Sequence, residues 1–344
     1  MKRKYFVAIV FAVSAVVFFM SARRFFITSY ATVPAGVLSL ITEPGDGIAP
    51  LLAMIDGAST SVDLVMYELD DERIEAALAA DEARGVAVRV ILSGGYKGAT
   101  STMNASAYAF LAAHGVPVRW SPSYFSLTHE KSLVIDSSRA LIMTFNLVSK
   151  YYATGRDFGI VDADRRDVAA MEDTFDADWN AKGVAGSGND GDAGDDLVWS
   201  PGSESALLDL IASAQRSLYI YNEEMDDTDV TKALIDAAER GVTVYVDMTG
   251  AAEWKYEFAE LATAGAHVRT YPDDPTAPLY IHAKMIVADD GSVTARAFVG
   301  SENFSPTSLG ENRELGIVTR DQAIIAQLAK TFAADWRGAT PFTL

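Results

Sequence analysis

Hydrophobic side chains recur along this chain at two spacings, one of two residues and one of three to four. Val86, Val88, Val90 and Leu92 alternate with polar or small neighbours, which predicts a strand. Val242, Val244, Val246 and Met248 repeat that strand later in the chain. Ile48, Leu51, Leu52 and Ile55 stand at helical spacing, and a strand begins at Val62 and Leu64. Asp70 or Asp71 is placed to cap a helix bearing Ile74, Ala77 and Leu78, with Gly85 just past its end. Two further amphipathic helices carry Val168, Met171, Phe175 and Trp179, and Ile325, Leu328, Phe332 and Trp336. Such stripes predict core packing rather than a cofactor site. Strands alternating with helices predict an α/β class, with a mostly parallel sheet covered by helices on both faces.

The chain reads twice, at an offset of about 156 residues. Asp70-Asp71 returns as Asp226-Asp227, and Ala83-Arg84-Gly85-Val86 as Glu239-Arg240-Gly241-Val242. Phe175-Asp176-Ala177-Asp178-Trp179 returns as Phe332-Ala333-Ala334-Asp335-Trp336. One copy is expected over residues 36–183 and the second over 197–338. The stretch 184–196 between them is rich in glycine and aspartate and predicts a linker. Its aspartates lack the spacing of a calcium loop. Residues 1–31 lie before the repeat. Lys2-Arg3-Lys4 precedes a run of sixteen residues, Tyr5 to Met20, apolar throughout except for Ser14. As a helix that run spans roughly 24 Å, short of the roughly 30 Å hydrocarbon core. It predicts a signal peptide or, given Arg23-Arg24 and Phe25, Phe26 and Ile27 beyond it, an uncleaved membrane anchor. Either places the repeat outside the cytoplasm, as a secreted, periplasmic or membrane-anchored protein.

Composition narrows the chemistry. There is no cysteine, so disulfides, thiolate metal sites and cysteine nucleophiles are excluded. Only His114, His129, His267 and His282 can supply an imidazole. The net charge is −19, and removing the five bases of the first 24 residues leaves −24. Such a balance weighs against nucleic acid as a partner.

His129-Glu130-Lys131 is followed, after four residues, by Asp136, and His282-Ala283-Lys284, after four, by Asp289. The intervening residues predict strand, so each histidine and its lysine share a face. The odd spacing turns Asp136 and Asp289 away and makes them structural. Downstream stand Thr144-Phe145-Asn146 and Gly300-Ser301-Glu302-Asn303, each a hydroxyl and an amide two residues apart. Lys131, Lys284, Thr144, Asn146, Ser301 and Asn303 together would line a phosphate site. Glu302 reads as surface charge or as an acid that repels anionic substrate. Each catalytic imidazole needs an acceptor for its other N–H, and Asp157 and Glu314, which correspond through the repeat, are the candidates. His114 and His267 do not correspond and read as structural or surface residues.

The paired H-x-K-x4-D and hydroxyl-x-Asn elements resemble those of the phospholipase D superfamily, over about 300 of the 344 residues. The resemblance implies two α/β/α sandwich domains about a pseudo-two-fold axis that share one active site. It further implies phosphodiester chemistry through a phosphohistidine, with no metal and no cofactor. By the same analogy His129 is the nucleophile and His282 the general acid, although pseudo-symmetry permits the reverse. Asn312-Arg313-Glu314 resembles the family's N-x-E element. Gly155-Arg156-Asp157 departs from it, and Met143 stands where the family has glycine, so one half-site is expected to be looser or narrowed by Met143. A hairpin four residues longer is expected around Asp290-Gly291. The implied activity is hydrolysis of a phospholipid headgroup at a membrane surface, giving phosphatidate. Alternatives are a cardiolipin synthase-like transphosphatidylase, a nuclease, and a non-catalytic phospholipid-binding scaffold.

Overall fold

The computed structural model describes residues 37–98, 102–181, 196–274 and 277–343. The expected signal or anchor and nearly all of the expected linker lie outside the described residues. Among the described residues no helix is long and apolar enough to cross a membrane.

Two sheets of eight strands each repeat one strand order. The first runs Leu38–Glu43, Gly155–Asp162, Arg139–Met143, Lys131–Ile135, Ser61–Met66, Ala87–Leu92, Val118–Trp120. The second runs Leu197–Ser200, Glu314–Thr319, Arg296–Gly300, Lys284–Ala288, Ser217–Tyr221, Thr243–Thr249, His267–Tyr271, and adds Thr340–Pro341 at its edge. The remaining strand of the first sheet, Tyr280–Ile281, comes from the second copy and pairs in parallel with Gly155 and Arg156.

The expected mostly parallel sheet is not found. Along the strand order of each large sheet, the Ser61, Ala87 and Val118 strands, and their equivalents, pair in parallel and the other described neighbours antiparallel, apart from the added Tyr280–Ile281 strand. Between those parallel strands a helix such as Glu72–Ala83 or Thr228–Glu239 provides the crossover. Ile135 and Arg139, by contrast, are joined by three residues, too short for a crossover, so those strands run antiparallel. The second copy's corresponding hairpin, from Ala288 to Arg296, is the longer one expected.

Helices Ala49–Asp56, Glu72–Ala83 and Ala105–Ala113 cover the outer face of the first sheet, packing Leu51, Ile55, Ile74 and Leu111 on Val88 and Val90. Glu204–Ser213, Thr228–Glu239 and Lys255–Thr263 do the same for the second. Asp71 and Asp227 cap the middle helix of each layer, and Gly85 and Gly241 take the left-handed conformation just beyond it. The two inner faces meet in one core. Phe158 and Ile160 of one sheet and Val299 and Ile317 of the other enclose Met171 and Phe332 from the helices Arg165–Trp179 and Gln322–Trp336. Burying a side chain such as Phe332 contributes about 1.5–3 kcal/mol. Because that core is common to both copies, each half holds the other in place.

Candidate active site

Each H-x-K segment is stitched to the opposite half by backbone hydrogen bonds. The N–H groups of His129 and Glu130 donate to the Arg313 carbonyl at 2.9 and 3.0 Å, and that of Arg313 to Leu127 at 2.9 Å. Around His282 the pattern repeats: Tyr280 donates to Thr154 at 2.8 Å and Ala283 to Arg156 at 2.8 Å. The residue after each arginine is the acid. Consequently the imidazole–carboxylate pairs cross between halves. His129 Nδ1 lies 2.8 Å from Glu314 Oε2, and His282 Nδ1 lies 2.9 Å from Asp157 Oδ1. With Nδ1 engaged, Nε2 of each ring is left for chemistry. Both histidines line one cavity of about 870 Å³ between the halves.

The expected acids are therefore in place, each serving the histidine of the other copy. Glu314 is held on its second oxygen by Ser308 Oγ at 2.6 Å and Asn312 Nδ2 at 3.0 Å. Burial opposes its charge, but His129 and Lys131 outweigh it and hold the carboxyl below its ordinary range. Asp157 has Gly155 where Glu314 has Asn312, and it accepts instead from Thr144 Oγ1 at 2.5 Å. Met143 does not narrow the site; it is fully buried in the first half's own core. Burial also depresses the His129 pKa, against the pull of Glu314, which favours the neutral ring.

The arginines form a second layer. Arg313 makes a two-point bridge to Asp178 at 2.7 and 3.1 Å, and Arg156 one to Asp335 at 2.5 and 3.0 Å. These bridges cross between halves as well. The apolar stripes of the closing helices and their repeated Asp-Trp pair give these aspartates no role by themselves. Their signal was present, since both copies keep an Asp just before Trp179 or Trp336 and an Arg just before the acid.

The phosphate-binding expectations divide. Lys131 and Lys284 are buried, and each ammonium donates to the carbonyl of its own histidine at 2.6 Å. Burial and the charge of Lys284 bring Lys131 down to about 7. Asn146 and Asn303 line the cavity. Thr144 and Ser301 do not: Thr144 holds Asp157, and Ser301 Oγ accepts from the Leu315 N–H at 3.1 Å. Both hydroxyls stand just past the strands Arg139–Met143 and Arg296–Gly300 and bond the neighbouring strand that carries the acid, Thr144 Oγ1 accepting from Phe158 N–H and Ser301 Oγ from Leu315 N–H. Glu302 is neither surface charge nor a cavity wall. It is fully buried, beside the backbone of Gly300 and Gly316, where burial and nearby Glu314 push its pKa well up.

Asp136 and Asp289 turn away from the cavity, as expected, but not through strand parity: each stands just past its strand in a left-handed conformation. Asp136 accepts from the N–H groups of Ser59, Thr60 and Ser61, and Asp289 from Gln215, Arg216 and Ser217. His114 and His267 are exposed and distant from the cavity wall. Among the described residues no group of three or more histidine or acidic side chains is arranged to hold a metal ion.

One residue of the cavity had no place in the sequence reading. Glu223 Oε2 lies 3.0 Å from Lys284 Nζ and 3.5 Å from His282 Nε2, and its Oε1 accepts from Tyr280 Oη at 3.0 Å. Its counterpart through the repeat is Tyr67, whose ring meets His129 edge-on at 4.6 Å and lies 5.0 Å from Lys131 Nζ.

Several known proteins are similar to this chain. A family model described as "Cardiolipin synthase, PLD-like domain" matches twice, over residues 51–179 and 207–336. A phospholipase D of Rickettsia bellii is 31% identical over 136 residues, 39% of this chain and 62% of that protein. Less than two thirds of the relative's length is thus covered. Among solved structures, a phosphatidylserine synthase of Haemophilus influenzae superposes with a TM-score of 0.71 at 12% identity, covering 91% of this chain and 88% of that one. A polyphosphate kinase of Porphyromonas gingivalis gives 0.66 at 15% identity, over 87% and 47%. At such identities these two establish a shared fold and no more. The family model, matching both copies and together most of the chain, goes further: this chain belongs to the phospholipase D superfamily, within the family of PLD-like domains described for cardiolipin synthase.

Proposed function

We propose that this protein cleaves a phospholipid headgroup phosphodiester through a covalent phosphohistidine. The observation that carries the reading is the crossed pair of imidazole–carboxylate contacts opening on one cavity. His129, favoured neutral by burial, attacks phosphorus through Nε2. The bond from phosphorus to the headgroup oxygen breaks, and His282 donates its Nε2 proton to that oxygen. Water then attacks the phosphohistidine from the vacated side and gives its proton to His282, and the phosphorus–nitrogen bond breaks. Phosphatidate leaves and both rings return to their starting states. His282 has a carboxylate near each ring nitrogen, Asp157 at Nδ1 and Glu223 at Nε2, which suits the ring that carries the proton.

Transfer to a second alcohol is the competing outcome, favoured by the family description. Its second step differs only in the nucleophile. Mixed phospholipid vesicles incubated with and without glycerol, followed by mass identification of products, separate the two. Phosphatidate in both samples supports hydrolysis, a glycerol adduct as main product supports transfer, and no change in any lipid overturns the phospholipid reading.

A further inference from the structure

The two half-sites are built from corresponding elements, yet one residue at the reacting centre differs in charge. Tyr67 in the first half is neutral, and Glu223 in the second is a carboxylate bonded to Lys284. Burial opposes that charge, but Lys284 and His282 outweigh it and keep the carboxyl well below its ordinary range. Lys284 lies behind the cavity wall and Glu223 lies in it, so the carboxylate stands between the ammonium and the cavity.

The charges around the reacting centre can be paired by name. Lys131, Lys284 and the acid form of His282 face Asp157, Glu314 and Glu223. With Lys131 protonated, the centre without Glu223 would carry one net positive charge, the complement of a monoanionic phosphodiester. With Glu223 it is neutral before any substrate arrives, and it turns net negative as Lys131, brought down to about 7, loses its proton. The wall beyond offers no compensation. Glu68, Glu224, Asp226 and Asp273 line it, and among the described residues of the lining there is neither lysine nor arginine. Asn303 adds no free donor there, since its Nδ2 donates to Glu224 Oε1 at 3.1 Å.

We infer that Glu223 sets the charge selectivity of this site, admitting phosphodiesters that carry their own ammonium group and disfavouring those with further negative charge. The inference rests on the phosphodiesterase reading and narrows it. A bound zwitterion leaves the centre neutral, with its ammonium among the acidic wall. A dianionic ester adds charge that nothing in the wall offsets.

Three soluble p-nitrophenyl phosphodiesters that differ only in the second ester, 2-aminoethyl, 2-hydroxyethyl or 2-carboxyethyl, test the inference. In the native protein kcat/KM should fall in that order, with about tenfold or more between first and last, mainly through KM. Glu223→Gln keeps the shape and removes the charge, so most of that ratio should vanish as the carboxyethyl ester gains. Should the variant lose its fold, the native protein still decides, because the ratio must shrink in high salt. Equal rates on all three esters with the native protein, or a ratio unmoved by Glu223→Gln, overturn the inference while leaving the phosphodiesterase reading intact. No turnover of any ester overturns both.

Discussion

The half-site around His129 and the half-site around His282 occupy equivalent places in the two copies and differ in how firmly they are held. Glu314, which serves His129, is fixed on both oxygens by His129, Ser308 and Asn312. Asp157, which serves His282, takes both His282 and Thr144 on a single oxygen and has glycine where Asn312 would be. The first ring is buried beside a tyrosine, the second is partly open and faces Glu223. A nucleophile benefits from a neutral, rigidly aimed nitrogen, whereas a proton donor needs anionic neighbours and access to the leaving group. Duplication thus supplied two similar histidines, and their surroundings made them unequal.

Replacing the histidines breaks this comparison most sharply. His129→Ala removes the attacking nitrogen, and no phosphoenzyme should form on any diester. His282→Ala should lose about 10²–10⁴-fold on alkyl esters but still label itself on a p-nitrophenyl diester, whose leaving group needs little protonation. The acids should follow their crossed partners. Glu314→Gln should slow both substrate types, and Asp157→Asn should slow mainly the alkyl ester. Rapid-quench measurement of the phosphoenzyme checks all four variants. A burst in His129→Ala and none in His282→Ala reverses the roles.

The arginine bridges come next, and they test whether the halves stand or fall together. Arg313 is fully buried and Asp178 nearly so. Arg313→Met leaves Asp178 buried without its cation and should cost about 3–5 kcal/mol of stability. Arg156→Met strands Asp335, but Tyr221 Oη still donates to that carboxylate at 2.6 Å, closer than the 3.2 Å at which Tyr124 Oη donates to Asp178, so its loss should be smaller. Denaturant unfolding compares the two. Each variant should unfold in one transition, since the central core is shared. Two separate transitions would show that the halves fold independently.

Much of this was legible in the sequence because the repeat shows each signal twice. Paired H-x-K motifs, alternating valines and the Asp157–Glu314 correspondence are all visible when one copy is laid against the other in sequence. What such a comparison does not show is how the two copies meet in space. Side-chain parity says which residues share a face, but not that Glu314 serves the histidine of the other half. Thr144 and Ser301 satisfied the face rule and yet turned toward the strands that carry the acids. The parallel-sheet expectation failed locally, because alternation cannot tell a hairpin from a crossover unless loop length is weighed. Glu223 stands opposite Tyr67 at the end of equivalent strands, and a departure from the repeat at so central a position was the clue that went unused.

The smallest effect expected is at the motif aspartates, where the two copies agree. Asp136 takes a left-handed backbone conformation and ties the turn before the Ser61–Met66 strand through three N–H groups. Burial works against its charge, but those donors and the Thr60 hydroxyl outweigh it and bring its pKa to about 2. A carboxyl depressed on folding contributes stability that is complete above its unfolded value, about 3.9, and is lost as pH falls toward the folded one. Asp136→Asn should therefore cost about 1–2 kcal/mol near neutral pH, comparable to losing a helix cap. That difference from the native protein should shrink steadily from about pH 4 to pH 2. Activity on p-nitrophenyl diesters should stay within about twofold, because the carboxylate faces the turn and not the cavity. A large loss of kcat with stability unchanged would return Asp136 to the chemistry, and a difference independent of pH would show that charge has no part in holding the turn.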